Sequence, residues 1–558
     1  MPDTDSPPVP TSRCNLRRQR VEPKVVGRVH ALTLVAAGVF LLAATRRLWF
    51  FVDEWDFLTH RGVRFGKQGL FYPHNEHWST IPILIWRALF NLVGVRDYWL
   101  YALPLILAHL AVAHLVWRLM LRHNVEPWTA TLVTGTFVVL GVGWLNVTSA
   151  FQIGFVGSVA FGLLAVQAIE DDRLWLPAVW GICALMCSDI GVPMVVACGL
   201  VALASRKPRL AAYSVLPPAF VFLIWYVTVG HEAANSATHL KNLTLDGLAS
   251  YVWTGLKASM GGYIDSSEYV GAVLVSVLAG AAVVRRNVPA ALAASTLALY
   301  AFVGFGRLHD PGGPAPAGRY AYVALALLLP LVGQLVSLLM RNHEMRPLVM
   351  SGLLLLVGAN VVLLHKNQVT WQRHLAENDE RSQMQAAAYL IHIGERFPGQ
   401  FFASSICSNI QCVDQDVPDM STLTTLVRRN EFPVPTSVAS SDLRSERALL
   451  GVFASPKRGY SGDLTFVPSR PSPCAMLRLG RSVSVDLRAS GSLELMIAGQ
   501  PRVPILLVSF PGVPSSASAS VIVAATSADR WLNLASGAYP TAVITSFSPA
   551  RVCEITTR

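Results

Sequence analysis

Charged residues are scarce in this sequence. Asp, Glu, Lys and Arg together make up 14% of its 558 residues, whereas hydrophobic residues make up 53%. A soluble globular protein usually carries about 25% charged residues, so this composition argues against a cytosolic enzyme and indicates a membrane protein. The long apolar runs lie between 29 and 365, and residues 366–558 have the composition of soluble sequence.

Lysine is also scarce, since it supplies only seven of the 45 basic residues. The sequence lacks a compact basic face with interleaved aromatic residues, so nucleic acid is not expected as a partner. Membrane topology explains the net charge of +11 better. Six basic residues precede the first apolar run and are expected to hold the N-terminus in the cytoplasm. They are Arg13, Arg17, Arg18, Arg20, Lys24 and Arg28.

The apolar runs predict about eleven membrane spans, because a helix needs about 20 apolar residues to cross about 30 Å of hydrocarbon. Residues 174–204 are predicted to break near Ser188 to Gly191, since one long helix would hold Asp189 near its centre. The result is a polytopic α-helical protein of the plasma membrane with an extracytoplasmic C-terminal part. The predicted spans are 29–52, 98–120, 128–147, 150–169, two short spans within 174–204, 210–229, 267–284, 288–305, 319–340 and 347–365.

The domain boundaries follow from these spans. Residues 1–28 are a cytoplasmic basic tail, and 29–365 form the transmembrane domain with an outer loop at 53–97. Residues 366–461 are an extracytoplasmic linker region of mixed character. In 462–558, short β-rich runs recur between turn residues, and this spacing predicts a β-sandwich-like domain.

Four cysteines lie in the predicted external part, where an oxidising environment permits disulfides. They are Cys407, Cys412, Cys474 and Cys553. Our hypothesis pairs the first two with each other and the last two with each other, because the second pair would join the first and last strands of one unit.

Three carboxylates stand together at the outer end of the first predicted span, namely Asp53, Glu54 and Asp56. Ionisable groups this close to hydrocarbon are costly and usually functional. The alternative is a solvated helix end with Trp55 at the membrane interface.

A second group of titratable residues follows in the same loop: His74, Glu76 and His77. After it, residues 79–94 are predicted to form an apolar helix that is too short to span and lies along the interface. Residues 244–262 have amphipathic helical spacing and are a second candidate interfacial helix.

An acidic pair after the first span, a loop with an interfacial helix, ten or more spans and an external C-terminal domain together resemble the GT-C superfamily of membrane glycosyltransferases. The resemblance covers about residues 29–365 and is closest to bacterial, actinobacterial-like members with Asp-Glu-Trp followed by His-Asn-Glu-His. It implies sugar transfer from a polyprenyl-phosphate donor to a glycan, lipid or protein hydroxyl outside the membrane. It also implies that Asp53 is the catalytic base, with Glu54 and Asp56 as alternates or as groups that orient the acceptor.

The lipid phosphate of such a donor needs cations near the interface. Arg307 and Arg319 frame a loop rich in Gly and Pro, and His309 and Tyr320 lie beside them. Two guanidinium groups so placed could bind a phosphate through paired hydrogen bonds. The alternative is that both arginines anchor the helices at the interface.

The His74 to His77 run could bind phosphate, the acceptor or a metal. The candidate ligands for a divalent cation such as Mg²⁺ or Mn²⁺ are Asp53, Glu76 and His77. Short loops with two histidines are common, so a protein without a metal is the other hypothesis.

Two rival functions remain from the sequence. The first is a transporter or flippase of a lipid-linked glycan, although transporters tend to contain paired broken helices and only 174–204 looks broken here. The second is a non-enzymatic component of envelope assembly. The clustering of acids at a surface, rather than within a span, favours chemistry.

Overall fold

The structure is a computed structural model that describes residues 13–51, 53–58, 69–232, 243–308, 314–378, 380–394 and 420–438, together with eight strands between 474 and 555. The chain divides into two compact units. The first, which we call the helical unit, comprises Met1–Arg46, Leu70–Leu84 and Trp99–Val369. The second unit comprises Arg47–Gly69, Ile85–Tyr98 and Thr370–Arg558.

Helices make up most of the described chain before 438. In chain order they are α1 (Arg13–Thr45), α2 (Asp53–Leu58), α3 (Thr80–Val93), α4 (Tyr98–Arg122), α5 (Pro127–Val138), α6 (Trp144–Thr148), α7 (Ile153–Glu170), α8 (Leu176–Leu185), α9 (Gly191–Ala204), α10 (Pro208–Thr228), α11 (Leu245–Tyr263), α12 (Glu268–Arg285), α13 (Val288–Arg307), α14 (Gly318–Met340), α15 (Met345–Asn378), α16 (Glu380–His392) and α17 (Met420–Arg428).

Eight helical segments among the described residues are long and apolar enough to cross a membrane. The chain is therefore a mostly helical, multi-pass membrane protein. The segments are Lys24–Thr45, Tyr98–Arg122, Ala150–Glu170, Pro208–Thr228, Glu268–Arg285, Val288–Arg307, Gly318–Met340 and Met345–Arg373.

Three of the predicted spans are not of spanning length. The prediction of one span over 128–147 is wrong, because α5 has 12 residues and ends at Val138, and α6 has only five. The predicted break within 174–204 is present, but α8 and α9 have 10 and 14 residues. At a rise of about 1.5 Å per residue, each is shorter than the hydrocarbon core.

Side chains of α15 form hydrogen bonds with the non-helical backbone between α5 and α6. The amide nitrogen of Gly141 donates to Oδ1 of Asn360 at 3.0 Å, and Nδ2 of Asn367 donates to the carbonyl oxygen of Gly141 at 3.1 Å. Non-helical backbone inside a membrane protein needs such internal partners, since lipid offers none. Nδ2 of Asn360 also donates to the carbonyl oxygen of Tyr263, the last residue of α11, at 3.1 Å.

The helices α11 and α13 run antiparallel in close contact. A Cβ on Gly255 would lie 2.2 Å from the ring of Tyr300, and the hydroxyl groups of Ser259 and Tyr300 are 2.6 Å apart. Nearer the start of α11, Tyr251 contacts Gly304. The beginning of α11 therefore lies beside the end of α13, which carries Arg307.

The predicted helices over 79–94 and 244–262 are present as α3 and α11. Beyond the last span, α15 continues to Asn378 and α16 follows it.

Eight short strands follow in the C-terminal part. They are β1 (Cys474–Leu477), β2 (Ser482–Asp486), β3 (Ser492–Gly499), β4 (Ile505–Ser509), β5 (Ser520–Ala524), β6 (Trp531–Ala535), β7 (Thr541–Ser546) and β8 (Ala550–Ile555). The antiparallel pairings give two sheets, in the orders β1-β8-β3-β6 and β2-β7-β4-β5. The register of β1 with β8 sets Cys474 opposite Cys553, whereas Cys407 and Cys412 lie outside the described residues.

Candidate functional site

The second unit contains the acidic helix α2, in which Glu54 is engaged in structural hydrogen bonds. Oε1 of Glu54 accepts from the hydroxyl of Tyr98 at 2.6 Å, and Oε2 accepts from the amide of Phe51 at 3.0 Å. The residue is only 3% exposed. Both oxygens therefore accept a hydrogen bond from a neighbouring residue, which fits an anchoring role better than that of a base.

Aromatic rings of α2 and of the segments beside it pack against one another. Trp55 is fully buried, and its ring centroid lies 5.4 Å from that of Phe50. Phe50 in turn packs edge-on against Trp86 and Tyr98. Of the three predicted catalytic acids, Glu54 and Asp56 are buried and Asp53 is half-buried. Asp53 is therefore the acid of α2 that is most accessible to a substrate.

In the helical unit, the residues from His74 to His77 form a tight turn closed by two backbone hydrogen bonds. The amide of His77 donates to the carbonyl of His74 at 2.8 Å, and the reverse bond is 3.0 Å long. Asn75 has a φ of 50°, in the left-handed region that asparagine tolerates better than most residues. The ring of His74 packs edge-on against Phe151.

His77 contacts Asp189, which lies in the turn between α8 and α9. Nδ1 of His77 is 2.5 Å from Oδ1 of Asp189, and the hydroxyl of Ser188 donates to the same oxygen at 3.1 Å. Burial alone would raise the pKa of Asp189. The charge and hydrogen bond of His77, the Ser188 hydroxyl and the nearby Arg307 outweigh that effect and hold the pKa below its ordinary value. Asp189 is therefore a carboxylate at neutral pH.

Glu76, the neighbour of His77, forms an ion pair with Arg307 at the end of α13. The two residues are 231 positions apart in the sequence. Since Arg307 also acts electrostatically on Asp189, the turn at 74–77, the turn at 186–190 and the end of α13 meet in one place.

Arg319 and Tyr320, at the start of α14, complete this group. The guanidinium of Arg319 lies 5.0 Å from the centre of the Tyr320 ring. Phe155 of α7 packs against both His77 and Tyr320. We call Glu76, His77, Asp189, Arg307 and Arg319 the ion cluster.

The structure thus brings together five of the predicted substrate-binding residues: Glu76, His77, Arg307, Arg319 and Tyr320. His74 lies in the same turn, and His309 is outside the described residues. The sequence interpretation did not include Asp189 in the site. The available signal was that it is the one acid between α8 and α9, within an otherwise apolar stretch.

The proposed divalent-cation ligands do not form a metal site. Glu76 pairs with Arg307, and His77 pairs with Asp189. Within the described ranges, no group of three or more His, Cys, Asp or Glu side chains is placed to hold a metal ion, and Asp53, Glu76 and His77 all lie within those ranges.

An apolar groove runs between α11 and α13. Its volume is about 370 Å³, and its lining includes Leu245, Leu248, Trp253 and Leu256 of α11 and Leu297 and Ala301 of α13. Arg307 and Arg319 both act electrostatically on Tyr251 in this part of α11, and burial raises the pKa of Tyr251. Apolar surface and cationic groups are therefore close neighbours in the helical unit.

No protein-family model matches this chain, and no curated protein matches it.

Proposed function

We propose that this protein is a GT-C-like membrane glycosyltransferase. It transfers a sugar from a polyprenyl-phosphate donor to a hydroxyl of an extracytoplasmic glycan, lipid or protein. The observation that carries the proposal is the ion cluster, whose Arg307 and Arg319 lie near an apolar groove. A lipid-linked phosphate needs this combination of cationic groups and apolar surface.

The phosphate is assigned to Arg307 and Arg319. A guanidinium presents two parallel donors that match two phosphate oxygens, and both side chains act on the same tyrosines, Tyr251 and Tyr320. Since they lie at the end of α13 and the start of α14, both are positioned by the ends of membrane spans.

The groove between α11 and α13 is assigned to the lipid chain of the donor. Leu245 is 88% exposed and Leu297 is 53% exposed, so the groove opens to the exterior of the protein. Burial of apolar surface stabilises such binding by about 25 cal/mol per Å². Because Arg307 and Arg319 lie nearby, the groove favours a lipid chain that ends in an anionic group.

The catalytic base is assigned to Asp53. The acceptor hydroxyl must lose a proton as it attacks the sugar, and a carboxylate within hydrogen-bond reach can accept it. Asp53 is more exposed than the other two acids of α2, and Glu54 is held by Tyr98 and Phe51. We therefore assign Glu54 to positioning and Asp56 to support of the same helix.

The proposal also covers the parts outside the membrane. We infer that the N-terminal tail is cytoplasmic and that 462–558 form an extracytoplasmic β-sandwich-like domain that holds the acceptor glycan. The two four-stranded antiparallel sheets support the domain assignment. The basic residues before the first span support the orientation.

The proposal is tested by a transfer assay with the purified full-length protein and a panel of polyprenyl-phosphate sugars. Asp53→Asn should reduce transfer by about two orders of magnitude or more, as expected for the loss of a general base. Asp97→Asn is the matched control, because Asp97 is an exposed aspartate shortly before α4. Full activity of Asp53→Asn, or equal loss in both variants, would contradict the assignment of the base.

A second candidate function is transport of a lipid-linked glycan, and the structure adds an observation in its favour. Two helices are interrupted, α5–α6 and α8–α9, and discontinuous helices are typical of transporter binding sites. Reconstituted protein that moves a fluorescent lipid-linked glycan between leaflets without altering it, with equal rates for wild type and Asp53→Asn, would favour transport over transfer.

A further inference from the structure

We propose that Asn146 and Gln152 bind the sugar of the lipid-phosphate donor through hydrogen bonds to its hydroxyl groups. This inference rests on the proposed function and deepens it, because it assigns the part of the donor that neither the two arginines nor the apolar groove accounts for. Both residues belong to the helical unit, as do Arg307 and Arg319.

The side-chain amide of Asn146 is incompletely hydrogen-bonded. Asn146 lies on the short helix α6 and is fully buried, with an exposed fraction of 0%. Its Nδ2 is 3.5 Å from Oε1 of Gln152, whereas an ordinary bond of this kind measures about 2.7–3.2 Å. Its Oδ1 has no hydrogen-bond partner among the residues that the structure describes. Since buried polar atoms nearly always have a partner, this oxygen indicates a contact with a ligand that donates a hydrogen bond.

Gln152 carries the second amide, at the point where the chain enters α7. It is 8% exposed and ends the short turn Ala150–Gln152. Each amide has one acceptor oxygen and two N–H donors, and a sugar hydroxyl both donates and accepts. Phe151 and Phe155 adjoin Gln152 in the sequence, and a few polar groups among aromatic rings are typical of sites for small molecules. The chemistry of the pair therefore fits a neutral, hydroxylated ligand.

The two amides lie beside the residues assigned to the donor phosphate. Phe155, three residues after Gln152, packs against Tyr320 with 6.2 Å between the ring centroids. The guanidinium of Arg319 lies 5.0 Å from the centre of the Tyr320 ring. Residues three apart on a helix are neighbours on one face, so two aromatic rings join Gln152 to Arg319. Because the sugar of the donor is bonded directly to the phosphate, a sugar beside Arg319 is expected within this short distance.

The backbone that leads into α6 is packed against the start of α14. A Cβ on Gly318 would lie 2.0 Å from the carbonyl oxygen of Val142, and a Cβ on Gly143 would lie 3.2 Å from that of Tyr322. The helix that carries Asn146 therefore begins next to the first turn of α14, which carries Arg319. Contacts this close hold the amide and the guanidinium on adjacent elements.

The stability of the ligand-free protein distinguishes a binding role from a structural one. Asn146→Ala removes only one long contact, so this variant should unfold near the wild-type temperature. Asn360→Ala removes bonds to Gly141 and to Tyr263 and should lower the unfolding temperature clearly. If Asn146→Ala lowers it as much as Asn360→Ala does, Asn146 is a structural residue and the inference is overturned.

The binding test compares two kinds of lipid phosphodiester on the purified full-length protein in detergent. The first kind comprises the farnesyl phosphodiesters of glucose, mannose and galactose. The second is farnesyl methyl phosphate, which has the same charge and lipid chain but no sugar. Wild type should bind at least one sugar diester about fivefold to tenfold more tightly than the methyl diester, the effect of about one neutral hydrogen bond.

Asn146→Ala should lose this preference for the sugar and bind the methyl diester as wild type does. Gln152→Met keeps the length of the side chain without its amide, and it should lose the preference in the same way. Asn91→Ala is the matched control, because Asn91 is exposed on α3 and its Nδ2 donates to the carbonyl of Arg87 in the same helix. The control should bind every ligand as wild type does.

The outcomes separate this inference from the proposed function. Equal wild-type affinity for the sugar and methyl diesters overturns the sugar site even if transfer is observed, and so does a preference that persists in both Asn146→Ala and Gln152→Met. Equal loss of affinity for both kinds of diester also overturns it, since the amides would then act on the phosphate or on the fold. A protein that recognises the sugar through Asn146 but transfers none supports the site and overturns the glycosyltransferase proposal.

Discussion

Replacement of Asn360 by alanine should destabilise the helical unit strongly. The side chain is 1% exposed and bonds backbone groups of two other segments, the amide of Gly141 and the carbonyl of Tyr263. Alanine would leave both groups without this partner. A buried group deprived of its hydrogen bond costs about 1–3 kcal/mol, so the loss in the free energy of unfolding should be about 2–6 kcal/mol.

Replacement of Asn367 by alanine should be a smaller perturbation of the same segment. It makes one bond to the same peptide unit, through the carbonyl of Gly141, so Asn367→Ala should cost about 1–3 kcal/mol. The double variant should cost less than the sum of the two, because both side chains hold one segment and contacts that share a partner are not additive.

The measurement is unfolding of the purified protein in detergent, followed by tryptophan fluorescence during heating and in denaturant. Ser276→Ala is the control, since Ser276 is on the exposed α12 and bonds only a carbonyl of its own helix, that of Ala272. An Asn360→Ala variant as stable as Ser276→Ala would refute the view that these asparagines hold the interruption between α5 and α6. Equal losses in the free energy of unfolding for Asn360→Ala and Asn367→Ala would contradict the expectation that the loss grows with the number of hydrogen bonds removed.

Further predictions concern other contacts. Tyr98→Phe removes the donor to the buried Glu54 and should cost about 1.5–3 kcal/mol, seen as a lower unfolding temperature than for Tyr389→Phe, and no difference would contradict an anchoring role for Glu54. Gly255→Ala places a methyl group against Tyr300 and should cost about 1–3 kcal/mol, whereas Gly280→Ala, which meets open space, should cost nothing comparable. The pKa of Asp189 is lower in the folded protein than its ordinary value of 3.8, so the contacts of its carboxylate should stabilise the protein at pH values above 3.8 and should lose that effect as the pH falls further. The difference in the free energy of unfolding between wild type and Asp189→Asn should therefore shrink in acid. A difference that does not depend on pH would contradict this expectation. The register of β1 and β8 predicts a disulfide between Cys474 and Cys553 in protein secreted through an oxidising compartment, and mass spectrometry of unreduced peptides that finds both thiols free would exclude it.

The sequence predicts well those features that depend on local composition. The eight long spans, the short helix α3 and the amphipathic α11 all follow from runs of apolar residues. The break between α8 and α9 follows from a single acid in an apolar stretch, because a charge within hydrocarbon is costly.

The features that the sequence predicts wrongly, or does not predict, depend on residues that are far apart in the chain. Residues 128–147 contain no charged residue and only five polar ones, four threonines and one asparagine, so the composition of this stretch predicts a span. The reason for the break is on α15, since Asn360 is 219 positions from the Gly141 amide it accepts from. Similarly, Asp189 could be seen as unusual from the sequence, but its pairing with His77 depends on the arrangement of the turns.

In the candidate site too, the local sequence predicts which residues take part, whereas their contacts depend on residues far away in the chain. Residue type alone identified Glu76, His77, Arg307, Arg319 and Tyr320, because charged groups at the ends of apolar spans are few. Their pairing, Glu76 with Arg307 and His77 with Asp189, is a tertiary property, and it occupies two of the three predicted metal ligands.

The pairing of Glu76 with Arg307 has a consequence for selectivity. An anion that binds Arg307 has to displace a carboxylate already within the protein, so Glu76 is a built-in competitor for that guanidinium. A small monovalent anion gains too little to displace it, whereas the phosphate of the proposed donor, which would also engage Arg319, gains several contacts at once. If the proposed transfer takes place, the same carboxylate would return to Arg307 as the phosphate leaves and would shorten the time for which the lipid phosphate stays bound.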